Sequence, residues 1–307
     1  MGRRVDAMVM AYVFPGQGSQ APGMGKDLAE KFAVARQVFE EADDALGFAI
    51  SRLCFDGPAE DLQLTENTQP AILTVSVAAF RAMQEAGIGA PAFVAGHSLG
   101  EYSALVAAGA LSLSDAVRTV RARGRYMQEA VPVGTGAMAA VIGGDLEAIG
   151  RICAEASQDQ VCSIANINAP NQAVIAGNTE AVDRAIELLS GVARKVVKLN
   201  VSAPFHCALM KPAQDRLAVD LEGLSFSEPA VPVVTNVDAR ATTAPEELRD
   251  ALVRQVSAPV RWVESMQLLI EQGVDTFVEA GPGKVLSGLM RQINRDVKML
   301  NAEDVIE

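Results

Sequence analysis

The sequence predicts an α/β protein in which a large parallel β-sheet, covered by helices, carries a smaller inserted subdomain. Three observations predict this fold class. Short β-branched and apolar runs alternate with segments of helical periodicity, and the order of elements changes near Gly134. The chain also has 307 residues, half of them hydrophobic, which is enough for a sizeable core. We therefore expect a large domain formed by residues 1–133 and 204–307, with residues 134–203 as the insert.

The first half of the large domain consists of strand-loop-helix units. Residues 8–14 predict a strand that ends in a Gly/Pro turn, and residues 26–46 carry apolar side chains at helical spacing. A second helix is expected at 69–86, a buried strand at 92–95 and a helix of small apolar residues at 99–110. Strands that alternate with helices in this way predict a parallel sheet.

The insert has a different order of elements, strand-helix-strand-strand-helix-strand, which is the ferredoxin-like order. After it, residues 231–236 and 274–279 predict two more strands of the large sheet, and a helix is expected from Lys284. The six elements of the insert are predicted at 137–142, 145–157, 161–167, 172–176, 179–189 and 195–201.

Charge and composition exclude several classes of function. A formal net charge of −12 argues against nucleic acid or an anionic membrane surface as a partner. No apolar run is long enough to span a bilayer, and residues 1–9 lack a signal-peptide pattern. The four cysteines form no CxxC pair, so we expect reduced thiols in a cytoplasmic protein and no metal site.

The segment Gly96-His97-Ser98-Leu99-Gly100 follows a predicted strand and precedes a predicted helix. In that context G-x-S-x-G is typical of a nucleophile elbow, because small residues allow a sharp turn that exposes the serine oxygen at a helix N-terminus. The helix dipole and the free N–H groups there favour developing negative charge. The alternative is a helix cap, since Glu101 lies at capping-box spacing from Ser98.

A nucleophilic serine needs a base and two donors for the oxyanion. The chain has two histidines, and His206 is the better candidate base because His97 is the immediate neighbour of Ser98 on a sharp turn. One oxyanion donor is the N–H of the residue after the nucleophile, Leu99. The other is expected in the first strand-helix loop, where we choose Gln17.

Two arginines are candidates for binding an anionic substrate group. Arg121 and Arg123 both fall at the edges of the inward-facing stripe of their predicted helix, so helical geometry leaves both open. A planar guanidinium suits a carboxylate because two parallel N–H donors meet two oxygens. The alternative for each arginine is a solvated surface charge. The stripe consists of Val117, Val120, Gly124 and Met127.

An ordered set of segments covers nearly the whole chain. The set comprises VFPGQGSQ (13–20), GHSLGEYSALVAAGAL (96–111), RARGRYMQ (121–128), NAPNQAVIAG (168–177), APFHCALMKPA (203–213), PVVTNVDA (232–239) and VEAGPGKVLSGLMRQI (278–293). Together these segments closely resemble the malonyl-CoA:acyl carrier protein transacylases of type II fatty-acid synthesis. The resemblance implies an α/β-hydrolase-like large domain with a ferredoxin-like insert.

The resemblance also implies a ping-pong transfer of malonyl from coenzyme A to the phosphopantetheine thiol of acyl carrier protein, with no bound cofactor. We expect the enzyme to be a monomer. By resemblance, Ser98 is the nucleophile and His206 the proton relay, while the N–H groups of Gln17 and Leu99 hold the oxyanion. The other implied roles are malonyl-carboxylate binding by Arg123, pocket lining by His97 and Asn166, and orientation of the histidine by the main-chain carbonyl of Gln255.

Two other functions remain open at this point. A thioesterase or esterase would use Ser98 and His206 equally well. A catalytically silent docking module for carrier proteins is the other alternative, against which the intact set of Ser98, His206 and Arg123 argues. Transfer to a carrier thiol, compared with release to water, distinguishes the transferase from the hydrolase.

Overall fold

The computed structural model describes residues 8–201 and 203–306. The prediction that the chain begins without a signal peptide falls mainly on residues 1–7, outside this part. The strands are β1 Met10–Phe14, β2 Phe93–Gly96, β3 Gly136–Ile142, β4 Cys162–Ala169, β5 Gln172–Asn178, β6 Lys195–Lys198, β7 Val233–Thr235, β8 Arg240–Thr242, β9 Thr276–Glu279 and β10 Lys298–Asn301.

Helices cover both sheets. They are α1 Lys26–Lys31, α2 Ala33–Leu46, α3 Ile50–Asp56, α4 Ala59–Leu62, α5 Thr65–Glu85, α6 Gly100–Ala107, α7 Leu113–Glu129, α8 Leu146–Ser157, α9 Thr179–Leu189, α10 Lys211–Glu222, α11 Pro245–Gln255, α12 Trp262–Glu271, α13 Val285–Ile293 and α14 Ala302–Ile306. None of the helices in the described part of the chain is long and apolar enough to cross a membrane.

The large sheet has six strands in the order β10-β9-β1-β2-β7-β8. Strands β10, β9, β1, β2 and β7 are parallel, as the alternation of strands and helices predicts. The edge strand β8 runs antiparallel to β7 and forms a hairpin with it. The α/β fold class is confirmed, and the antiparallel edge is a detail that three residues of β8 are too short to reveal by periodicity.

Apolar side chains cover both faces of the large sheet. On one face, Tyr12, Phe14 and Val94 pack with the buried residues of α5 and α7. On the other face, Phe277 packs with Trp262 and with neighbouring residues of α12 and α13. The sheet is therefore a buried layer, which fixes the carboxyl ends of β1 and β2 relative to each other.

The small sheet has four strands in the order β4-β5-β3-β6, all from residues 136–198. Its pairs β3 with β5, β3 with β6, and β4 with β5 are antiparallel, which is the predicted ferredoxin-like arrangement. Helices α8 and α9 pack on one face of this sheet with a separate apolar core. The division into domains at residues 134 and 203 stays a prediction.

Two helices differ from the expected limits. The predicted helix at 26–46 is broken at Phe32, whose extended backbone (φ −118°, ψ 121°) separates α1 from α2. Helix α5 begins at Thr65 rather than at residue 69, because Pro70 is accommodated inside its second turn. The Thr74 hydroxyl donates to the Pro70 carbonyl at 2.7 Å, one turn further along the helix.

Candidate active site

A sharp turn between β2 and α6 carries Ser98. The backbone of Ser98 has φ +52°, a left-handed conformation that is strained for a residue with a side chain. The flanking glycines permit the turn: a Cβ on Gly96 would lie 1.9 Å from the Gly100 carbonyl group, and a Cβ on Gly100 would lie 2.2 Å from the Phe14 oxygen. Ser98 is partly exposed at the start of α6, as a nucleophile elbow requires.

The helix-cap alternative for Ser98 is wrong. The N-cap position of α6 is Leu99, and no side chain caps this helix. Glu101, the other half of the supposed capping box, is fully buried and accepts hydrogen bonds from Asn236 and Gln255 instead.

His206 lies within hydrogen-bonding distance of Ser98. Its Nε2 is 2.8 Å from Ser98 Oγ, and its Nδ1 is 2.9 Å from the main-chain oxygen of Gln255. Because a carbonyl only accepts, Nδ1 carries the proton and Nε2 is the free acceptor for the serine hydroxyl. Burial, and then the neighbouring Arg123 cation, lower the pKa of His206 to about 3. The imidazole is therefore neutral and able to accept a proton at physiological pH.

Arg123 contacts the same serine oxygen. Its Nη2 donates to Ser98 Oγ at 3.1 Å and to Gln255 Oε1 at 2.8 Å, while Nη1 donates to Gln69 Oε1 at 2.7 Å. The side chain is 1% exposed, and each of these partners is a neutral oxygen. The guanidinium of Arg121, by contrast, lies 4.1 Å above the ring of Phe48. Of the two arginines that helical geometry leaves open, Arg123 is the one that reaches Ser98.

The two N–H groups expected to hold an oxyanion lie beside the turn. The N–H of Ser98 donates to Asn236 Oδ1 at 2.6 Å and is therefore occupied, whereas the N–H groups of Leu99 and Gln17 have no acceptor among residues 8–201 and 203–306. A Cβ on Gly16 would lie 2.5 Å from the His97 oxygen, so the loop that carries Gln17 packs directly against the elbow.

His97 and Asn166 have different surroundings. His97 Nε2 is 2.8 Å from Asn168 Oδ1, its ring lies 5.4 Å from that of Trp262, and burial lowers its pKa. Asn166 is buried on β4, where its main chain pairs with Val260. The asparagine that contacts His97 is thus Asn168, two residues beyond the one predicted to line the pocket. It belongs to the NAPNQAVIAG segment, so the sequence contained the signal.

Three further polar residues, whose roles the sequence did not indicate, lie beneath the elbow. Asn236 Nδ2 donates to the Gly96 oxygen at 2.7 Å, and its main-chain N–H donates to Glu101 Oε2 at 3.0 Å. Gln69 supports Arg123 from α5. Burial raises the pKa of Glu101 to about 7, against the hydrogen bonds from Asn236 and Gln255 and the attraction of Arg123.

The cysteines take no part in this arrangement. All four are free and buried, and the Cys207 thiol, next to His206, donates to the Pro204 oxygen at 3.1 Å. Within the part of the chain that the structure describes, no cluster of three or more His, Cys, Asp or Glu side chains could hold a metal ion. What the site offers is a serine hydroxyl between a neutral imidazole and a guanidinium.

Comparison with known proteins gives consistent matches over almost the whole chain. Residues 11–306 match the acyl transferase domain family. The chain is 53% identical over 284 residues to the malonyl CoA-acyl carrier protein transacylase of Escherichia coli O157:H7, and the match covers 92% of each chain.

Solved structures share the fold as well. The acyl carrier protein S-malonyltransferase of Vibrio cholerae O1 matches with a TM-score of 0.93 at 51% identity, over 95% of this chain and 96% of that one. A second match, with a TM-score of 0.94 at 50% identity and 97% of both chains covered, is the complex of a type II polyketide synthase acyl-carrier protein with its malonyl-transacylase.

Proposed function

The chain belongs to the malonyl-CoA:acyl carrier protein transacylase family, and we propose that it transfers the malonyl group through an ester on Ser98. It is an acyltransferase that takes malonyl from malonyl-CoA and delivers it to acyl carrier protein. One observation supports the proposed route most directly. A single oxygen, Ser98 Oγ, lies 2.8 Å from the neutral base His206 and 3.1 Å from the cation Arg123.

In the first half-reaction, His206 Nε2 accepts the hydroxyl proton as Ser98 Oγ attacks the thioester carbonyl of malonyl-CoA. The N–H groups of Leu99 and Gln17 donate to the oxyanion that forms. When the tetrahedral intermediate collapses, the carbon–sulfur bond breaks and His206 returns the proton to the sulfur of coenzyme A. The Gln255 carbonyl, 2.9 Å from Nδ1, keeps the imidazole in the tautomer that this transfer needs.

The second half-reaction runs the same steps with a different thiol. The phosphopantetheine thiol of the carrier protein gives its proton to His206 and attacks the ester carbonyl. The carbon–oxygen bond to Ser98 then breaks, and His206 returns the proton to Oγ. Because coenzyme A and the carrier present the same pantetheine thiol, one base and one oxyanion site serve both halves.

Arg123 selects the acyl group in this proposal. The malonyl carboxylate pairs with its guanidinium, which the neutral oxygens of Gln69 and Gln255 hold beside the nucleophile. An acetyl group has no carboxylate and gains nothing from the cation. His97 and Asn166 complete the wall of the pocket on the side of the small sheet.

The remaining features of the enzyme are proposals of the same kind. Ser98 and His206 balance every bond and proton in the cycle, so we expect no bound cofactor, with malonyl-CoA as a substrate only. We expect a cytoplasmic monomer whose partners are acyl carrier protein and coenzyme A thioesters, not nucleic acid or a membrane. Residues 134–203 would form a subdomain within the domain of residues 1–133 and 204–307.

The decisive experiment is intact-mass measurement after incubation with malonyl-CoA, acetyl-CoA or methylmalonyl-CoA. Malonyl-CoA should leave a malonyl adduct that peptide mapping places on Ser98 and that a carrier protein bearing phosphopantetheine removes as malonyl-carrier. Ser98→Ala should give no adduct. His206→Ala should slow acylation about one hundred-fold to ten thousand-fold, the usual loss for a general base.

Two results would contradict the proposal. Full labelling of Ser98→Ala would assign the nucleophile elsewhere. Release of free malonate in preference to malonyl-carrier would make the enzyme a thioesterase.

A further inference from the structure

The side-chain amide of Gln255 lies between two groups of opposite hydrogen-bonding character. Its Oε1 accepts from Arg123 Nη2 at 2.8 Å, and its Nε2 donates to Glu101 Oε2 at 2.8 Å and to the Ser98 main-chain oxygen at 3.0 Å. A guanidinium can only donate and a carboxylate can only accept. Both neighbours therefore require the same orientation of the amide, with its oxygen toward Arg123.

Glu101 is itself held in place relative to the nucleophile. It is 0% exposed, three residues after Ser98 on α6, and its Oε2 also accepts the main-chain N–H of Asn236 at 3.0 Å. The Asn236 side chain bonds to the Ser98 N–H and to the Gly96 oxygen on either side of the turn. One carboxylate oxygen is thereby fixed against the underside of the elbow.

The arrangement is energetically unfavourable for Glu101. Its other oxygen, Oε1, has no hydrogen-bond partner among the described residues, although the side chain is completely buried. No ion pair joins it to Arg123 within residues 8–201 and 203–306, because the Gln255 amide lies between the two. A buried acid with one unsatisfied oxygen costs stability, and such groups occur most often where a site requires them.

We propose that Glu101 is a positioning residue for malonyl recognition, which orients the Gln255 amide and thereby holds the Arg123 guanidinium beside Ser98. This inference rests on the proposed function, since it concerns the carboxylate-binding role of Arg123. Without an acceptor at position 101, only the Ser98 main-chain oxygen still accepts from the amide nitrogen at close range, so the amide rotates more readily and presents its NH2 group to the guanidinium. Two donors would then face each other, and Arg123 would lose one of its two supports.

Two variants separate the effect of the negative charge of Glu101 from the effect of its hydrogen-bond acceptor. In Glu101→Gln an oxygen must remain at the Oε2 position, because the Asn236 N–H donates there and has a fixed direction. This variant removes the charge and keeps the acceptor. Glu101→Met has a similar length and no acceptor comparable to a carboxylate oxygen. A matched control on the same buried helix is Ser103→Ala, since Ser103 Oγ has no recorded partner in the described part of the chain.

The experiment measures kcat/KM for acylation of Ser98 by malonyl-CoA and by acetyl-CoA in each variant. Glu101→Met should lower the malonyl value roughly ten-fold, the usual effect of losing one hydrogen bond to a charged group, and change the acetyl value less than about two-fold. Glu101→Gln should keep the malonyl selectivity of the wild type, and Ser103→Ala should leave both kcat/KM values unchanged. Equal losses for the two acyl groups, or lost selectivity in Glu101→Gln, would overturn the proposal.

A second measurement tests whether Glu101 acts through Gln255. Gln255→Met removes the amide and keeps the main-chain carbonyl that orients His206. The double variant Glu101→Met/Gln255→Met should lose no more malonyl activity than Gln255→Met alone, whereas additive losses would show an independent role. If Glu101→Met does not fold, Glu101→Gln still tests the proposal, because lost malonyl selectivity in a variant that keeps the acceptor would overturn it.

The failure of this inference is distinguishable from failure of the proposed function. Absence of a malonyl ester in the wild-type enzyme would overturn the function. A wild-type ester combined with undiminished selectivity in Glu101→Met would overturn only the role of Glu101.

Discussion

At the scale of single residues, the low pKa of His206 has a direct kinetic consequence. Burial and Arg123 lower that pKa to about 3, from an ordinary value near 6.5, so the imidazole is unprotonated over the whole range above about pH 4. The rate of Ser98 acylation should therefore stay level from pH 8 to pH 5 and fall only below about pH 4. Stopped-flow release of coenzyme A in a single turnover measures this rate.

Glu101 also lies near the site and has a pKa between pH 5 and pH 8, so its titration must be separated from that of His206. Its pKa is raised to about 7, and protonation still leaves Oε2 able to accept hydrogen bonds. Glu101→Gln should therefore give the same pH profile as the wild type. A step near pH 6.5 in both enzymes would show that the pKa of His206 is not lowered.

Arg123 and Arg121 form a matched pair for testing selectivity. Arg123→Ala removes the guanidinium beside Ser98 and should lower malonyl transfer by roughly 2 kcal/mol of transition-state stabilisation, about thirty-fold, with a much smaller effect on acetyl transfer. Arg121→Ala removes a cation that packs on Phe48 and should leave the ratio of the two activities unchanged. Competition between the two thioesters in one reaction measures that ratio. Equal losses in Arg123→Ala would mean a structural role.

The sequence predicted which residues come together at the site better than it predicted their hydrogen-bond partners. A strand-turn-helix context and a count of two histidines are enough to choose Ser98 and His206. Helical geometry could not separate Arg121 from Arg123, because the choice depends on α5 and α11, which meet α7 only in the folded chain. Asn168, Asn236 and Glu101 were not assigned roles for the same reason: each acts across more than sixty residues of sequence.

At the scale of elements, the contact between β1 and the start of α6 determines where Ser98, the proposed nucleophile, lies. Gly100→Ala would bring a Cβ within 2.2 Å of the Phe14 oxygen, so the helix must move away from the sheet. We expect a loss of about 1–3 kcal/mol in the free energy of unfolding, together with strongly reduced acylation. Denaturant unfolding and the mass assay measure the two effects.

Gly288 on α13 is the control for this substitution. A Cβ there meets nothing within 4 Å, so Gly288→Ala should leave acylation unchanged and maintain or slightly raise stability. Unchanged stability in Gly100→Ala would show that α6 can adjust its position without affecting the elbow.

Elements with clear periodicity were predicted well, and short or interrupted ones were not. The helix of the insert at 179–189 and the strands at its centre lie where the pattern predicts them. Strands β8 and β10 have three and four residues, too few for an alternation to be visible, and they exist because β7 and β9 offer unpaired edges. The break at Phe32 could not be predicted from the sequence, because no glycine or proline lies in residues 26–46.

At the scale of the whole molecule, the formal net charge of −12 bears on docking, since acyl carrier proteins are acidic as a family. Any long-range attraction between the two must come from a local basic patch. Two clusters of basic residues qualify, one in and beside β6 (the β6 cluster) and one in and beside α13. The alternative is that both are solvated surface charges. In each cluster one lysine is paired with an aspartate, Lys198 with Asp183 and Lys284 with Asp304. The cluster on β6 also contains Arg194 and Lys195, and that on α13 contains Arg291 and Arg295.

We expect the β6 cluster to contribute more to docking, because it belongs to the predicted subdomain of residues 134–203, which we expect to form one wall of the cleft. Charge reversal in Arg194→Glu/Lys195→Glu should slow transfer to the carrier and weaken its dependence on salt, while acylation by malonyl-CoA stays nearly unchanged. The control is Arg151→Glu on α8, an exposed arginine of the same subdomain that lies outside the β6 cluster. If carrier transfer is unchanged both when the β6 cluster is reversed and when the α13 cluster is reversed, the carrier is held mainly by its pantetheine arm.

The neutral partners of Arg123 have a consequence for the thermal stability of the proposed malonyl-ester intermediate. A buried guanidinium that contacts only amide and hydroxyl oxygens lacks a direct counter-ion, and the malonyl ester brings one that is tethered to the adjacent Ser98. Tethering gives the carboxylate a high effective concentration at the cation, because no separate molecule has to be brought to the site. Covalent loading with malonyl should thus raise the melting temperature of the enzyme, and loading with acetyl should not. In calorimetry, the difference should vanish in Arg123→Ala. The malonyl ester that waits for the carrier would then resist heat better than the free enzyme.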